Sequence, residues 1–448
     1  MIGQLKSILR SNESLSLIGN MSVAVFGFLS FMFLARTFTQ EVFGEWVLYL
    51  VTAGLVEMLR FAITKVSIIR FLSGAKGEER NQLIGSNWLI GLILTALVVL
   101  LIILARLLFP EKIDESGYTY FFTWYPVLAL ANLPYNNALG VLQAEQKFTS
   151  ILTIKITSKG LFFLFVLANF LILDWGVLQV IYAHLVVNLL TSLLSIVKGW
   201  DGMKHILQAT RENNAKLFHF GKFTIGTMIG SNLLKSADTI LIGLSPFGSA
   251  AVALYAVPLK LTELMEIPLR SFLATAFPKM SKASINNDPE KVKEVFYTYS
   301  GAITILFIPM IIVCILFAKF FILILGGEQY TQTIVPIILF QIFAIYSFFL
   351  PIDRFTGVAL DSINRPKKNF YKVMVMVLLN IIGDLIALFV FKSLIAVAIV
   401  TILFTIIGQI IGFSYLAKEI PVNFKEIFKH GFRFYQDAYQ KFIISRRS

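Results

Sequence analysis

The chain has 448 residues, of which 57% are hydrophobic and only 15% are charged, and its mean hydropathy is +0.78. Soluble domains carry about 25% charged residues, so the composition excludes a water-soluble globular protein and indicates a polytopic helical membrane protein. The net charge of +13 is explained by basic residues in loops rather than by nucleic-acid binding, and the single cysteine, Cys314, excludes a disulfide framework.

Apolar runs of roughly 20 residues, the length that crosses ~30 Å of hydrocarbon, recur along the chain. They predict twelve membrane spans, at residues 14–35, 42–71, 83–109, 118–143, 148–173, 176–198, 218–244, 249–277, 297–325, 332–360, 370–391 and 394–417. A shift of 206 residues places Glu57 on Glu263, and a shift of 217 places Gly140 on Gly357. These overlays equate the second span with the eighth and the fourth with the tenth.

The repeat predicts an all-α polytopic membrane protein with two six-helix lobes, related as parallel repeats around a central cavity. The predicted organisation is a cytoplasmic N-terminal segment (1–13), an N-lobe (14–199), a cytoplasmic linker (200–217), a C-lobe (218–417) and a basic cytoplasmic tail (418–448). Cations are concentrated in every second loop, and such loops stay in the cytoplasm. Both termini are therefore predicted to be cytoplasmic, and every loop on the outer side is short.

The tail has aromatic residues at steps of three and four, with basic residues between them. These aromatic residues are Phe424, Phe428, Phe432, Tyr435, Tyr439 and Phe442. The spacing predicts an amphipathic helix on the inner membrane surface. A loosely ordered basic tail is the alternative.

Several predicted spans contain charged residues. The eighth span holds Lys260, Glu263, Glu266 and Arg270 on one helical face, between Pro258 and Pro268. Each charge at a helix centre costs about 2.5–3.5 kcal/mol on the insertion scale, so four would cost on the order of 10 kcal/mol facing lipid. This face is therefore predicted to contact protein or water. The other spans contribute Glu57, Arg60, Lys65, Lys155, Lys159, Lys235, Asp238, Asp353, Arg354 and Asp384.

Eight cations slightly outnumber six acids in this set. The cations Arg60, Lys65, Lys155, Lys159, Lys235, Lys260, Arg270 and Arg354 are candidate ligands of an anionic substrate. The acids Glu57, Asp238, Glu263, Glu266, Asp353 and Asp384 are candidates for binding a coupling proton or sodium ion, or for holding the cations in place. Three pairs are spaced to cancel as buried ion pairs: Glu57 with Arg60, Lys235 with Asp238, and Glu266 with Arg270.

No catalytic motif, metal-ligand spacing or cofactor fingerprint is present in the sequence, so no catalytic residue, metal or cofactor is predicted. A membrane glycan polymerase or ligase would need a sizeable outer loop with charged catalytic residues. The predicted outer loops are too short for one. His184, in the sixth span, is interpreted as a hydrogen-bonded core residue.

Three segments resemble the Wzx-type O-antigen and capsule flippases of the MATE and polysaccharide-exporter (MOP) superfamily. In the first, Arg36 ends a helix, the turn TFTQEVF follows, and Gly44 precedes Trp46. The segments GVLQAEQKFTSILTIKI (140–156) and DSINRPKKNFYKV (361–373) are similar to the turns that enter the family's fifth helix and its counterpart in the second half. The lipid II flippases of the same superfamily usually have two further C-terminal helices.

The resemblance implies a bacterial inner-membrane flippase with a central cationic cavity. Its substrate would be a polyprenyl-pyrophosphate-linked oligosaccharide, moved from the inner to the outer leaflet by alternating access. The implied partners are this substrate, membrane lipids, a proton or a sodium ion, and glycan assembly enzymes. The alternative is a cation-coupled multidrug or metabolite exporter of the same superfamily, for which an acidic surplus and aromatic cavity walls are expected.

Overall fold

The computed structural model describes residues 12–447. It does not describe the side chains of residues 12–14, 16–17, 221–227, 438 and 441–447. The predicted N-terminal segment, 1–13, therefore lies almost entirely outside the described residues. Within them the chain forms helices and no strands. This confirms the predicted all-α fold.

Fifteen α-helices follow one another along the described chain. They are α1 (Asn12–Thr37), α2 (Gln40–Leu72), α3 (Gly77–Leu108), α4 (Pro110–Glu115), α5 (Thr119–Ala144), α6 (Phe148–Ala168), α7 (Val177–Val197), α8 (Arg211–Leu244), α9 (Gly248–Ile285), α10 (Pro289–Leu316), α11 (Ala318–Gly326), α12 (Val335–Ser362), α13 (Pro366–Phe389), α14 (Leu394–Ala417) and α15 (Phe424–Arg447). Each predicted span falls on one of them, except the fifth, which ends in a π-helical turn (Asn169–Leu173), and the ninth. The ninth span falls on both α10 and α11, because the helix is interrupted at Phe317.

Nine helices within residues 12–447 are long and apolar enough to cross a membrane. The remaining three long helices at predicted spans are α5, α8 and α9. α8 and α9 carry intramembrane charges, and α5 holds polar residues beside Pro126 and Pro134. Their lower hydropathy indicates helices that place polar groups against protein or water rather than against lipid.

The chain divides into two compact units. One contains the residues up to Asn232 together with Pro246–Ala253, and the other contains Leu233–Ser245 together with the residues from Leu254 onward. In the first unit, α1 packs on α6, and α5 packs on α2, α3 and α7. In the second unit, α12 and α13 pack on α14, while α10 packs on α12 and α15.

The predicted linker, 200–217, is packed against α3 in the first unit. The indole Nε1 of Trp88 donates to the Asp201 carbonyl at 2.8 Å. Gly202, at a φ of 74°, lies against Ile84, whose side chain occupies the place of a Cβ. The segment Met203–Gln208 forms a 3-10 helix. α8 then begins at Arg211, seven residues before the predicted span, because the helical turns continue beyond the apolar stretch.

Asp201 places a carboxylate in this buried turn without an ion-pair partner among the described residues. Its side chain accepts from the Met203 N–H at 3.2 Å, and the residue is 2% exposed. Burial raises the pKa of the Asp201 carboxyl, and hydrogen bonds from the backbone offset this only in part. The folded state therefore binds the proton more tightly than the unfolded chain does. The contribution of Asp201 to stability is thus greatest at low pH and falls as pH rises through the folded-state pKa.

We expect Asp201→Asn to keep or raise the melting temperature at pH 7. The free energy of unfolding should rise by about 1 kcal/mol or less. Asparagine keeps the oxygen that accepts from Met203 but removes the buried charge. Melting curves of the purified protein between pH 5 and 8 test this, with Asp201→Ala as the control that also loses the acceptor. If Asp201→Asn lowers the melting temperature as much as Asp201→Ala, the carboxylate charge itself stabilises the turn.

Candidate functional site

The first unit encloses Arg60 in a network of polar groups. The Arg60 guanidinium is 1% exposed and ion-paired with Glu57. Its Nη2 donates to the hydroxyl of Thr95 and to the carbonyl of Ala129, each at 2.7 Å. The Tyr125 hydroxyl donates to Glu57 at 2.9 Å. This network joins α2, α3 and α5, so a substrate would reach Arg60 only if these contacts opened.

The three lysines predicted in the spans of this unit are placed differently. Lys65 and Lys159 are exposed, and Lys155 is half-buried with its Nζ 2.7 Å from the Asn20 amide oxygen. Lys155 and Lys159 are four residues apart on α6, and Lys65 of α2 repels Lys155 electrostatically. Among the described residues, no carboxylate lies within 4 Å of any of these three ammonium groups. They form a set of cations without acidic partners, called here the lysine cluster (Lys65, Lys155, Lys159).

In the second unit, the charges of α9 form two ion pairs along one helix. Lys260 contacts Glu263 at 2.7 Å, and Nη2 of Arg270 contacts Glu266 at 2.6 Å. α9 continues through both flanking prolines and a third, Pro278, as one helix. The charged face is partly open, since the Arg270 side chain is 61% exposed.

Two more cations lie close to Glu266. Arg354 of α12 and Lys235 of α8 both interact electrostatically with its carboxylate, and Arg354 also hydrogen-bonds Tyr346. Together with the α9 pairs, this cluster holds Lys235, Lys260, Arg270 and Arg354 against Glu263 and Glu266. The predicted pair between Lys235 and Asp238 is not formed: Lys235 is exposed, whereas Asp238 is buried among other partners.

Asp353 forms a buried ion pair that sequence analysis missed. Its partner is Lys372 of α13, whose Nζ lies 2.8 Å from Oδ1 and 2.9 Å from the backbone carbonyl of Asp353. Both side chains are at most 3% exposed. A signal was available, because Lys372 lies 217 residues after Lys155, the offset that also overlays Gly140 on Gly357.

Asp238 and Asp384 form a second buried acidic site, called here the carboxylate pair. The Asn380 amide Nδ2 donates to Asp238 at 2.9 Å and to Asp384 at 3.0 Å. Asp238 also accepts from the hydroxyls of Tyr255 at 2.5 Å and Thr401 at 3.1 Å. Asp384 is fully buried, and neither its Oδ1 nor the Oδ1 of Asn380 has a hydrogen-bond partner among the described residues.

The carboxylate pair has an excess of oxygen acceptors. Two ionised carboxylates buried together repel each other, and an unpaired buried charge is strongly unfavourable. The oxygens of Asp384 and Asn380 that lack partners among the described residues are acceptors for a proton or a small monovalent cation. Within residues 12–447, no cluster of three or more His, Cys, Asp or Glu side chains could hold a metal ion. Asn380, Tyr255 and Thr401 were not predicted. Of these, Asn380 is four residues from Asp384 and hence on the same helical face.

His184 lies in the core of the first unit, as interpreted from the sequence. Its Nδ1 is 3.1 Å from the Tyr49 hydroxyl, and the ring makes edge contacts with Trp46 and Phe162. These residues are almost fully buried. The ring therefore packs as part of an aromatic core.

Comparisons with known proteins agree with this architecture. A family model described as polysaccharide biosynthesis protein matches residues 9–284, more than half of the chain, and a MatE model matches residues 224–386. The probable low-salt glycan biosynthesis flippase Agl15 of Haloferax volcanii is 21% identical over 417 residues, which cover 91% of this chain and 83% of that protein.

Two solved structures show the same fold at low sequence identity. The lipid II flippase MurJ in an inward closed conformation has a TM-score of 0.72 at 16% identity, covering 96% of this chain and 92% of that one. An inward-facing multidrug resistance MATE family transporter has a TM-score of 0.73 at 13% identity, covering 88% and 93%. The helices and these matches define a multi-pass membrane transporter of the MOP superfamily. Within it, the chain belongs to the polysaccharide biosynthesis protein family.

Proposed function

We propose that this protein is a flippase for a polyprenyl-pyrophosphate-linked oligosaccharide, such as an O-antigen, capsule or exopolysaccharide repeat unit. It would move the unit from the inner to the outer leaflet of the bacterial inner membrane by alternating access, with both termini in the cytoplasm. No covalent step or cofactor is required. The observation that carries the proposal is the lysine cluster, three cations in predicted spans without a carboxylate partner among the described residues.

The chemistry of the lysine cluster fits a pyrophosphate. An uncompensated cation within a span is unfavourable by several kcal/mol unless water or an anion accompanies it. Lysine binds phosphate as a point charge with three donors. Three such groups from α2 and α6 would offset the charge of a pyrophosphate while its prenyl chain stays in lipid.

The cation cluster of the second unit supports a second set of contacts. Four cations there face two carboxylates, so two positive charges remain in excess. Arg270 and Arg354 present guanidinium groups, which bind phosphate or sugar carboxylates through paired hydrogen bonds. In this proposal, Glu263 and Glu266 hold the cations in position between transport events. Arg60 serves as a positioning residue that joins α2 to α3 and α5.

We assign ion coupling to the carboxylate pair in the second unit. Binding of a proton or a sodium ion between Asp238 and Asp384 would relieve the repulsion of two buried charges. Transport could then be driven by a cation gradient. The acids Glu57 and Asp353 are each engaged with a buried cation, Arg60 and Lys372 respectively, and are therefore poorer candidates.

The alternative function is a cation-coupled multidrug or metabolite exporter. The similarity to a MATE transporter fits this alternative, and the carboxylate pair would serve it equally well. The excess of cations in both units disfavours it, because many exported drugs are cations that these groups would repel. The substrate is therefore the property that separates the two functions.

Mass spectrometry of polyprenyl-linked intermediates in a deletion strain, together with staining of surface glycan, tests the proposal. We expect surface glycan to be lost and complete lipid-linked units to accumulate, with recovery when the wild-type gene is restored. Normal surface glycan without accumulation would contradict the flippase and favour the exporter. Accumulation of incomplete units would instead indicate an enzyme of assembly.

A further inference from the structure

The C-terminal helix α15 is attached to the second unit by a close helix crossing. Gly301 of α10 and Gly431 of α15 meet there: a Cβ on Gly301 would lie 2.0 Å from the Ile427 carbonyl oxygen, and one on Gly431 would lie 2.5 Å from Gly301. The Tyr435 hydroxyl donates to the carbonyl of Ala302 at 2.9 Å. No larger side chain fits at either glycine without moving the helices apart.

This crossing lies where the apolar stretch of α10 begins. Just before α15, the Asn423 N–H donates to the Tyr297 hydroxyl at 2.7 Å. These contacts, from Asn423 to Tyr435, reach only residues 297–305 of α10. The first two turns of α10, PEKVKEVF (289–296), carry four charges and precede the apolar residues. Because the loop before α10 is predicted to be cytoplasmic, α15 lies at the predicted boundary between the cytoplasm and the membrane.

The opposite face of α15 is exposed and basic. Lys425, Lys429 and Arg433 follow one another at steps of four and are exposed; they are called here the basic stripe. Phe432 and Tyr439 beside it are 58% and 66% exposed. Among the described residues, Lys429 has a loose ion pair with Glu426 at 3.4 Å, and no carboxylate lies within 4 Å of Lys425 or Arg433. Basic residues beside exposed aromatic side chains are typical of a helix that lies at a membrane surface.

We propose that the basic stripe binds the phosphate headgroups of anionic lipids in the cytoplasmic leaflet. Phe432 and Tyr439 would enter the boundary between headgroups and acyl chains, where aromatic rings are favoured. Lipid headgroups are the chosen occupant because the stripe lies at the level where the membrane begins and has the opposite charge to that surface. The inference does not depend on which substrate is transported.

The binding of lipid by α15 would act on two helices of the second unit, α9 and α10. Besides the glycine crossing with α10, Phe434 of α15 packs against Phe272 of α9, with ring centroids 6.3 Å apart. Phe272 lies two residues after Arg270 in the charged segment of α9. An anionic membrane surface would therefore hold the predicted cytoplasmic ends of α9 and α10 in place.

The test compares the full-length protein in nanodiscs of phosphatidylcholine with nanodiscs in which a third of the lipid is phosphatidylglycerol. We expect the anionic lipid to raise the melting temperature of the wild type by several degrees, and 0.5 M NaCl to remove most of that rise because exposed charges are screened. The variant K425Q/K429Q/R433Q should lose most of the rise. The control K282Q/K291Q/K293Q, which removes the same number of charges from the end of α9 and the first turns of α10, should keep it.

The proposal would be overturned if phosphatidylglycerol raised the melting temperature of the triple variant as much as that of the wild type. It would also be overturned if the melting temperature of the wild type did not depend on lipid charge. If lipid charge has no effect but the triple variant loses transport in cells, the basic stripe serves an acidic protein and the lipid proposal fails. Native mass spectrometry of protein released from mixed nanodiscs gives an independent measurement. Phosphatidylglycerol should be enriched on the wild type and on the control, and not on the triple variant.

Discussion

The double variant K155Q/K159Q is expected to abolish surface glycan while the protein remains in the membrane at its normal level. A charge-assisted hydrogen bond contributes about 1.5–3 kcal/mol, so loss of both ammonium groups should weaken pyrophosphate binding about 100-fold or more. Stability should change little, since neither lysine has a carboxylate partner among the described residues. Surface glycan staining, with quantitative blotting of the membrane fraction, measures both quantities.

The matched control is K76Q/K204Q, which removes two exposed lysines from loops that are predicted to be cytoplasmic. It removes the same charge and should leave surface glycan unchanged. Wild-type glycan in K155Q/K159Q would show that the lysine cluster does not bind the substrate. If the double variant instead retained the export of a cationic dye that the wild type also exports, the exporter would replace the flippase as the better account.

The order of the long helices could be predicted because apolar length is a local property of the sequence, whereas the short helix α4 was not predicted. Helix ends were less predictable, since α8 and α10 begin seven and eight residues before their predicted spans. Their first turns are polar and continue the helix beyond the apolar residues. The break at Phe317 was also missed, because the residues on both sides of it are apolar.

The charged residues show where sequence spacing stops being informative. Spacing of three or four correctly paired Glu57 with Arg60 and Glu266 with Arg270, because both partners lie on one helix. The same rule failed for Lys235 and Asp238. Asp238 is turned inward, where Tyr255, Asn380 and Thr401 from three other helices bind it. Partners on other helices depend on tertiary packing, which the spacing along one helix does not contain.

The packing also assigns the predicted acids to different environments. Asp353 is matched by one buried cation, Lys372. Asp384 has Asp238 as its charged neighbour, and one of its oxygens has no hydrogen-bond partner in the part of the chain that the structure describes. These two carboxylates are in the same unit and are almost fully buried. Opposite effects of the same chemical change are therefore expected at the two positions.

Asp384→Asn is expected to raise the melting temperature and to abolish transport. Asparagine has nearly the same shape as aspartate. The substitution removes one of the two negative charges that repel each other in the carboxylate pair, so the folded state gains stability. Asp353→Asn should have the reverse effect on stability, a loss of about 3–5 kcal/mol, because it leaves the Lys372 ammonium buried without a partner. Melting curves of the two purified variants beside the wild type measure this contrast.

The cation dependence of the same curves identifies what the carboxylate pair binds. If it binds sodium, replacing choline chloride by NaCl at constant ionic strength should raise the melting temperature of the wild type and leave Asp384→Asn unchanged, since a ligand stabilises only the state that binds it. If the carboxylate pair binds a proton, the melting temperature of the wild type should not change with sodium but should rise as pH falls. The melting temperature of Asp384→Asn should not show this rise. If Asp384→Asn instead melts at a lower temperature than the wild type, as is expected for Asp353→Asn, then Asp384 is a structural acid. The carboxylate pair would then not be the site of ion coupling.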